Sequence, residues 1–171
     1  MQRIGVIADT HGLLRPEAVA FLQGCSHIIH AGDIGEPQVL DELGSLAPVT
    51  AVRGNNDAGE WAQRLRERET IRVAGVNIHV IHDVGEMPLD AMRPFVQVVV
   101  SGHSHKPAIT QREETLFLNP GSAGPRRFKL PVSIGELIVR DDGSVTARIQ
   151  ELSVAPARRS RARSSRPQSR G

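Results

Sequence analysis

Five short apolar runs rich in β-branched residues punctuate the first part of the chain: Ile4–Ala8, Ile28–Ala31, Val49–Val52, Val76–Ile81 and Val96–Val100. None alternates cleanly with polar positions, which predicts strands covered on both faces. Helix-like segments lie between the early runs. Pro16–Leu22 and Pro37–Leu46 each open on a proline suited to a first helical turn, and Gly44 and Pro48 close the second. This alternation predicts βαβ units with parallel pairing. Further on the pattern changes. Ala108–Gln111 and Thr115–Leu118 flank a polar turn, and Val132–Val139 and Ser144–Glu151 flank Asp141-Asp142-Gly143, a hairpin signal. The expected fold class is therefore α/β, a layered sandwich of two mixed β-sheets flanked by helices. The charged run Arg64–Glu69 reads as a solvated helix face.

The chain of 171 residues suits one domain, placed at 1–152, with an Arg/Ser-rich tail at 153–171. Residues 155–171 contain only Arg, Ser, Ala, Pro, Gln and Gly, a composition that predicts disorder. Six of the 21 basic residues fall in that tail, so the net charge of +2 conceals an acidic body. Nucleic-acid binding is expected, if at all, only through this tail, because aromatic residues make up 3% of the chain. The lone Cys25 excludes an internal disulfide and a cysteine-rich zinc site, and it reads as buried and inert. With no leader-like opening and no apolar run long enough to span a bilayer, the expected location is cytoplasmic, without membrane attachment.

The chemistry is concentrated where the strands end. The first run leads into Asp9-Thr10-His11, the second into Gly32-Asp33, and the third into Gly54-Asn55-Asn56-Asp57. The fourth ends at His82 and the fifth at Ser101-Gly102-His103-Ser104-His105. Ligands of open α/β sheets gather beyond the carboxyl ends of strands, and parallel strands would bring these side chains to one rim. Glycine precedes Asp33, Asn55 and His103, which permits tight turns and close backbone approach. Carboxylates, imidazoles and an amide without a thiolate suit divalent metals of intermediate hardness. Asp9, His11, Asp33, Asn55, His82, His103 and His105 are too many for one four-coordinate zinc, but they suit two ions. Two such ions would leave a residual positive charge that attracts a phosphate ester.

These motifs, with Asn119-Pro120-Gly121-Ser122 and Pro125-Arg126, resemble those of the calcineurin-like metallophosphoesterase superfamily, in particular its small YfcE-type phosphodiesterases. The resemblance covers roughly residues 1–152. It implies one ion held by Asp9, His11, Asp33 and His105 and another by Asp33, Asn55, His82 and His103, with Asp33 bridging. The activity implied is hydrolysis of phosphodiesters by a hydroxide activated at this dinuclear centre. Manganese is the first expectation for the metal, with iron, zinc or nickel as alternatives.

Two departures stand out. Many superfamily members have a histidine, thought to protonate the leaving group, where this chain has Asn56. The catalytic and substrate-binding position Asn56 therefore predicts a bias toward esters with good leaving groups. The family's usual His-Gly is here His82-Asp83, and Asp83 either pairs with an imidazole or faces solvent. Arg127 is a candidate contact for the substrate phosphate, with surface charge as the alternative for it and Arg126. Asp57 is expected to support its loop. His30 is open between a role behind Asp33 and a core histidine, while His27 and His79 read as structural or exposed. The expected partner is a small phosphate ester, and a homo-oligomer is compatible with the sequence. The alternative function is a non-catalytic scaffold or interaction protein, since a retromer subunit shares the fold; such scaffolds tend to lose metal-site histidines, all present here.

Overall fold

The computed structural model describes residues 1–87 and 95–154. The tail from 155 onward and part of the 83–94 loop lie outside the described residues. Two five-stranded mixed sheets face each other, as expected. In the first, the order is β10-β9-β1-β2-β3; in the second, β4-β5-β6-β8-β7. The strands are β1 Gln2–Ile7, β2 His27–His30, β3 Val49–Ala51, β4 Arg68–Val73, β5 Val76–Ile81, β6 Val98–Val100, β7 Ala108–Arg112, β8 Thr115–Asn119, β9 Ser133–Val139 and β10 Val145–Glu151. The helices are α1 Pro16–Leu22, α2 Pro37–Gly44 and α3 Glu60–Gln63.

Strand periodicity divides the apolar residues between two cores. Ile4, Val6 and Ala8 of β1 and its extension point between the sheets, where they meet Ile29, Ile78, Val80, Val98, Val100 and Leu118. Ile7 and Ile28 point the other way, onto Ala18 and Leu22 of α1 and Val39 and Leu43 of α2. The central strands thus need apolar residues on both faces, which is why their runs lack polar alternation.

Pairing explains the rest. β1, β2 and β3 are parallel neighbours, whereas β9 and β10 close the first sheet antiparallel. In the second sheet β5, β6 and β8 are parallel, with antiparallel edges at β4 and β7. The five strand ends that carry the expected ligands therefore belong to two sheets and not to one rim. The site lies where two carboxyl edges converge.

One sequence expectation fails. Arg64–Glu69 is not a helix face; it turns after α3 and enters β4, an edge strand whose exposure alternates along its length. Val73 pairs with Val76 around Ala74-Gly75, both at positive φ, a two-residue hairpin turn. The charges of an exposed edge strand mask its β pattern, which only Ile71 and Val73 reveal.

Candidate metal centre

Backbone hydrogen bonds run past the strand ends and tie the ligand loops in pairs. Asp9 N donates to Gly32 O at 3.0 Å, and His11 N to Asp33 O at 3.0 Å. In the second sheet Gly102 N donates to His82 O at 2.9 Å. Across the sheets His103 N donates to Asp9 Oδ2 at 3.1 Å, and His82 Nδ1 to Ala31 O at 2.7 Å. That last bond places the proton on Nδ1 and turns Nε2 toward the centre.

Five of the seven expected ligands hold their side chains there by left-handed backbone: Asp9, His11, Asp33, His103 and His105 have φ between 47° and 67°. Each such residue costs roughly 1–2 kcal/mol. Their clustering marks a functional site. Two glycines admit this close approach. A Cβ on Gly54 would collide with the Asp33 backbone and carboxylate, and one on Gly102 would lie 2.9 Å from Asp9 Oδ2.

The donor atoms converge. His11 Nε2 and His105 Nε2 face each other at 3.4 Å, and His105 Nε2 lies 3.3 Å from Asp9 Oδ1. Asp33 Oδ2 is 3.9 Å from His11 Nε2 and 3.4 Å from His82 Nε2. Asn55 Oδ1 is 2.9 Å from His82 Nε2 and 3.1 Å from His103 Nδ1. Two sets of candidate ligand atoms each gather within 4.8 Å: Asp9, His11 and His105, and Asp9, Asp33 and His82. The seven expected residues are thus brought together, and Asp33 stands between the two sides.

These residues fit divalent cations. Asp9 is wholly buried, yet its Oδ1 has no hydrogen-bond partner. An orphaned carboxylate oxygen beside imidazole nitrogens is unfavourable without a cation. Burial accordingly pushes the Asp9 carboxyl up to about 7, against the pull of His82. Burial, then the charge of Arg127, pushes His105 down to about 4, and burial also lowers His11. Burial opposes ionisation of Asp33, but donors from His82 and Asn56 outweigh it and hold the carboxyl below its usual range. Burial opposes a charge on His82 too, and Asp33 outweighs it, raising the imidazole.

Supporting residues become visible here. Asn56 donates its backbone N and its Nδ2 to the two Asp33 oxygens, at 2.8 and 2.7 Å. Asp57 accepts from Gly35 N at 2.9 Å and Gly54 N at 2.8 Å, joining two ligand loops as expected. Gly32 N donates to His30 Nδ1 at 3.2 Å, so Nε2 carries the proton and donates to Thr10 Oγ1 at 2.9 Å; Thr10 then donates to Ile34 O at 2.9 Å. His30 is therefore both core residue and brace, and burial lowers it to about 3. Asn119 donates to Gly102 O at 2.7 Å, and Ser122 to Asp9 O at 2.9 Å. Thr10 was missed in the sequence; its place between two ligands was the available signal.

Asp83 sits 3.7 Å from His103 Nε2 and accepts from Gly85 N at 2.8 Å. It pairs with an imidazole while remaining partly exposed. Arg127 and Arg126 are both exposed, and the charge of Arg127 acts on Asp9, His11 and His105. His27 and His79 bond to Thr50 and Thr70 at 2.8 Å, away from the centre. Cys25 is buried and unpaired, and burial raises its thiol, as an inert cysteine requires. A cavity of about 520 Å³ opens beside Asn55, His82 and His103, lined also by Arg53, Arg68 and Asp83.

Residues 2–142 match the calcineurin-like phosphoesterase superfamily domain. The chain belongs to that superfamily. A probable metallophosphoesterase of Methanothermobacter thermautotrophicus is 37% identical, over 82% of this chain and 86% of the relative. Among solved structures, an archaeal phosphodiesterase superposes with a TM-score of 0.70 at 23% identity, covering 87% of this chain and 100% of that one. Vps29 of Entamoeba histolytica, complexed with zinc, gives 0.66 at 24% identity, covering 88% and 99%. At these identities the structures establish the fold. Superfamily membership makes a metal-dependent phosphoesterase the coarse functional class, and the converging ligands agree with it. No helix among the described residues is long and apolar enough to cross a membrane.

Proposed function

We propose that the chain is a metal-dependent phosphodiesterase with a dinuclear centre, most simply a manganese one, although iron, zinc or nickel suits the same donors. The observation that carries this reading is the orphaned Asp9 Oδ1 facing His105 and His11, beside an Asp33 shared with His82. Asp9, His11, Asp33 and His105 would hold one ion, and Asp33, Asn55, His82 and His103 the other. When bound, the ions supply Lewis-acid activation of water and neutralise charge on the phosphate.

The chain's own residues do the rest. Asn56 fixes both Asp33 oxygens, Thr10 and His30 brace the β1–β2 loops, and Arg127 offers a guanidinium to the ester's phosphate oxygens. Asn56 carries no titratable proton, so leaving-group protonation is weak, and esters with good leaving groups are favoured. The 520 Å³ cavity gives one ester arm a place beside His82 and His103.

The test is hydrolysis of an aryl phosphodiester with and without Mn²⁺, alongside His103→Ala, together with metal content. The expected result is metal-dependent turnover lost in the variant, with two ions per chain. No metal-dependent turnover between mildly acidic and alkaline pH would overturn the enzyme reading, and fewer than two ions the dinuclear one. Metal binding alone does not separate this reading from a scaffold, because a Vps29 also takes zinc. Turnover does.

A further inference from the structure

Next to Asp9 in the fold, residues 125–130 form a loop of which the phosphoesterase chemistry uses only Arg127. Arg127 to Leu130 is a turn, closed by Leu130 N donating to Arg127 O at 3.1 Å. Phe128 occupies its second position with φ 52°, where such turns favour glycine. A left-handed conformation is unfavourable for a bulky residue. The ring returns nothing to the core, since Phe128 is 95% exposed. Arg126, Arg127 and Lys129 surround it, all exposed, and the sequence has no acid between Glu114 and Glu136. Among the described residues none of these three cations has an ion-pair partner within reach.

The root of the loop is fixed to the ligands. Ser122 Oγ donates to Asp9 O, Ala123 N donates to Ala8 O at 3.1 Å, and Arg15 donates twice to Gly124 O at 3.2 Å. The charge of Arg127 reaches Asp9, His11 and His105. An exposed aromatic ring in left-handed backbone, on a base tied to Asp9 and Ala8 and flanked by exposed cations, is suited to recognition.

We propose that this loop recognises a nucleobase, so that the diester cleaved here carries a nucleoside; the proposal rests on the phosphodiesterase reading. The Phe128 ring stacks on the base, and Arg127, whose Cα is about 3.8 Å from that of Phe128, contacts the phosphate. The low aromatic content of the chain does not oppose this, because one base needs one ring. An anionic membrane would use the same cations, but it would call for several apolar side chains around the ring.

The test compares two diesters with the same leaving group, thymidine 5′-(4-nitrophenyl phosphate) and methyl 4-nitrophenyl phosphate, on the Mn²⁺-loaded full chain. Phe128→Ala should lower kcat/KM for the nucleoside ester about tenfold, through KM, and leave the methyl ester unchanged. Phe128→Trp should keep the preference, and its emission should be quenched by thymidine 5′-monophosphate. Equal effects on both esters, or none on either while both are hydrolysed, overturn the nucleobase assignment and leave the phosphodiesterase reading intact. Hydrolysis of neither ester overturns both. Sedimentation with phosphatidylserine vesicles that Phe128→Ala abolishes, with ester preference unchanged, would assign the loop to a membrane and overturn it as well.

Discussion

The two sides of the candidate metal centre solve the same problem differently. On the inner side, Asp9 and His105 are buried, and each leaves one atom, Oδ1 and Nδ1, without a partner. Burial there disfavours both charged forms, leaving a carboxyl pushed up to about 7 and an imidazole pushed down to about 4. On the outer side, His82 and Asp33 favour each other's charged forms, while Asn55 and His103 are exposed and already hydrogen-bonded. The inner side is built for something it must receive, whereas the outer side is assembled in advance. A cation on the inner side would compete with a proton on Asp9, and one on the outer side with the proton affinity that Asp33 confers on His82.

Asp33 belongs to both sides, so its loss should have the largest effect. Asp33→Asn keeps the shape and the Asn56 contacts at one oxygen but removes the charge. Turnover of an aryl diester should fall on the order of 10²–10³-fold or more, the scale set by losing one preorganised electrostatic element. Metal content should fall on both sides together. A variant that loses a single ion and keeps turnover within tenfold would show that the sides are independent.

Asp9→Asn separates them by stability. Its folded carboxyl titrates near 7 against an ordinary 3.8, so the native state binds the extra proton between these values. Stability contributed by Asp9 is then full below about 3.8 and is lost as pH rises through 7. In metal-free protein at pH 8, Asp9→Asn should be more stable than wild type by up to about 4 kcal/mol. The gain should vanish near pH 4. His30 has the opposite sign: its stability is full above 6.5 and is lost as pH falls toward 3. Denaturant titrations of chelated protein at both pH values check this. A gain equal at the two would mean that burial of the charge is not its source.

Much of this was legible in the chain. The apolar runs located β1, β2, β3, β5 and β6, and the residues after them are the ones that converge on the candidate centre, because a strand end is where a local pattern stops and a loop must carry chemistry. The distribution of those ends over two sheets was not legible, since β5 and β6 look locally like β1 and β2. β4 escaped because an exposed edge strand is written in charged residues. The difference between the two sides of the centre was also hidden: burial and hydrogen-bond partners arise from packing between sheets, and Asp9 and Asp33 look alike in sequence. Asn56 was expected near the substrate phosphate, whereas its side chain lies on Asp33. Asn56→Ala should keep the backbone bond at 2.8 Å and lose the amide bond at 2.7 Å. A roughly tenfold weaker metal affinity is expected, the lower end for a lost partner of a ligand, measured by competition with a chelator. No change would return Asn56 to the substrate.

The smallest effect tests the exposed edge of the outer side. Asp83 lies 3.7 Å from His103 Nε2, while His103 Nδ1 faces Asn55, so the carboxylate sits behind a ligand and orients its ring. Both side chains are more than a third exposed, which limits such a pair to about 1 kcal/mol or less. Asp83→Asn preserves the acceptor for Gly85 N and removes only the charge. Metal affinity should weaken by no more than about fivefold, and the difference should shrink as ionic strength rises, because screening acts on exposed pairs. An effect that persists in high salt would instead place Asp83 with the buried, preassembled groups and move the boundary between the two sides outward to His103.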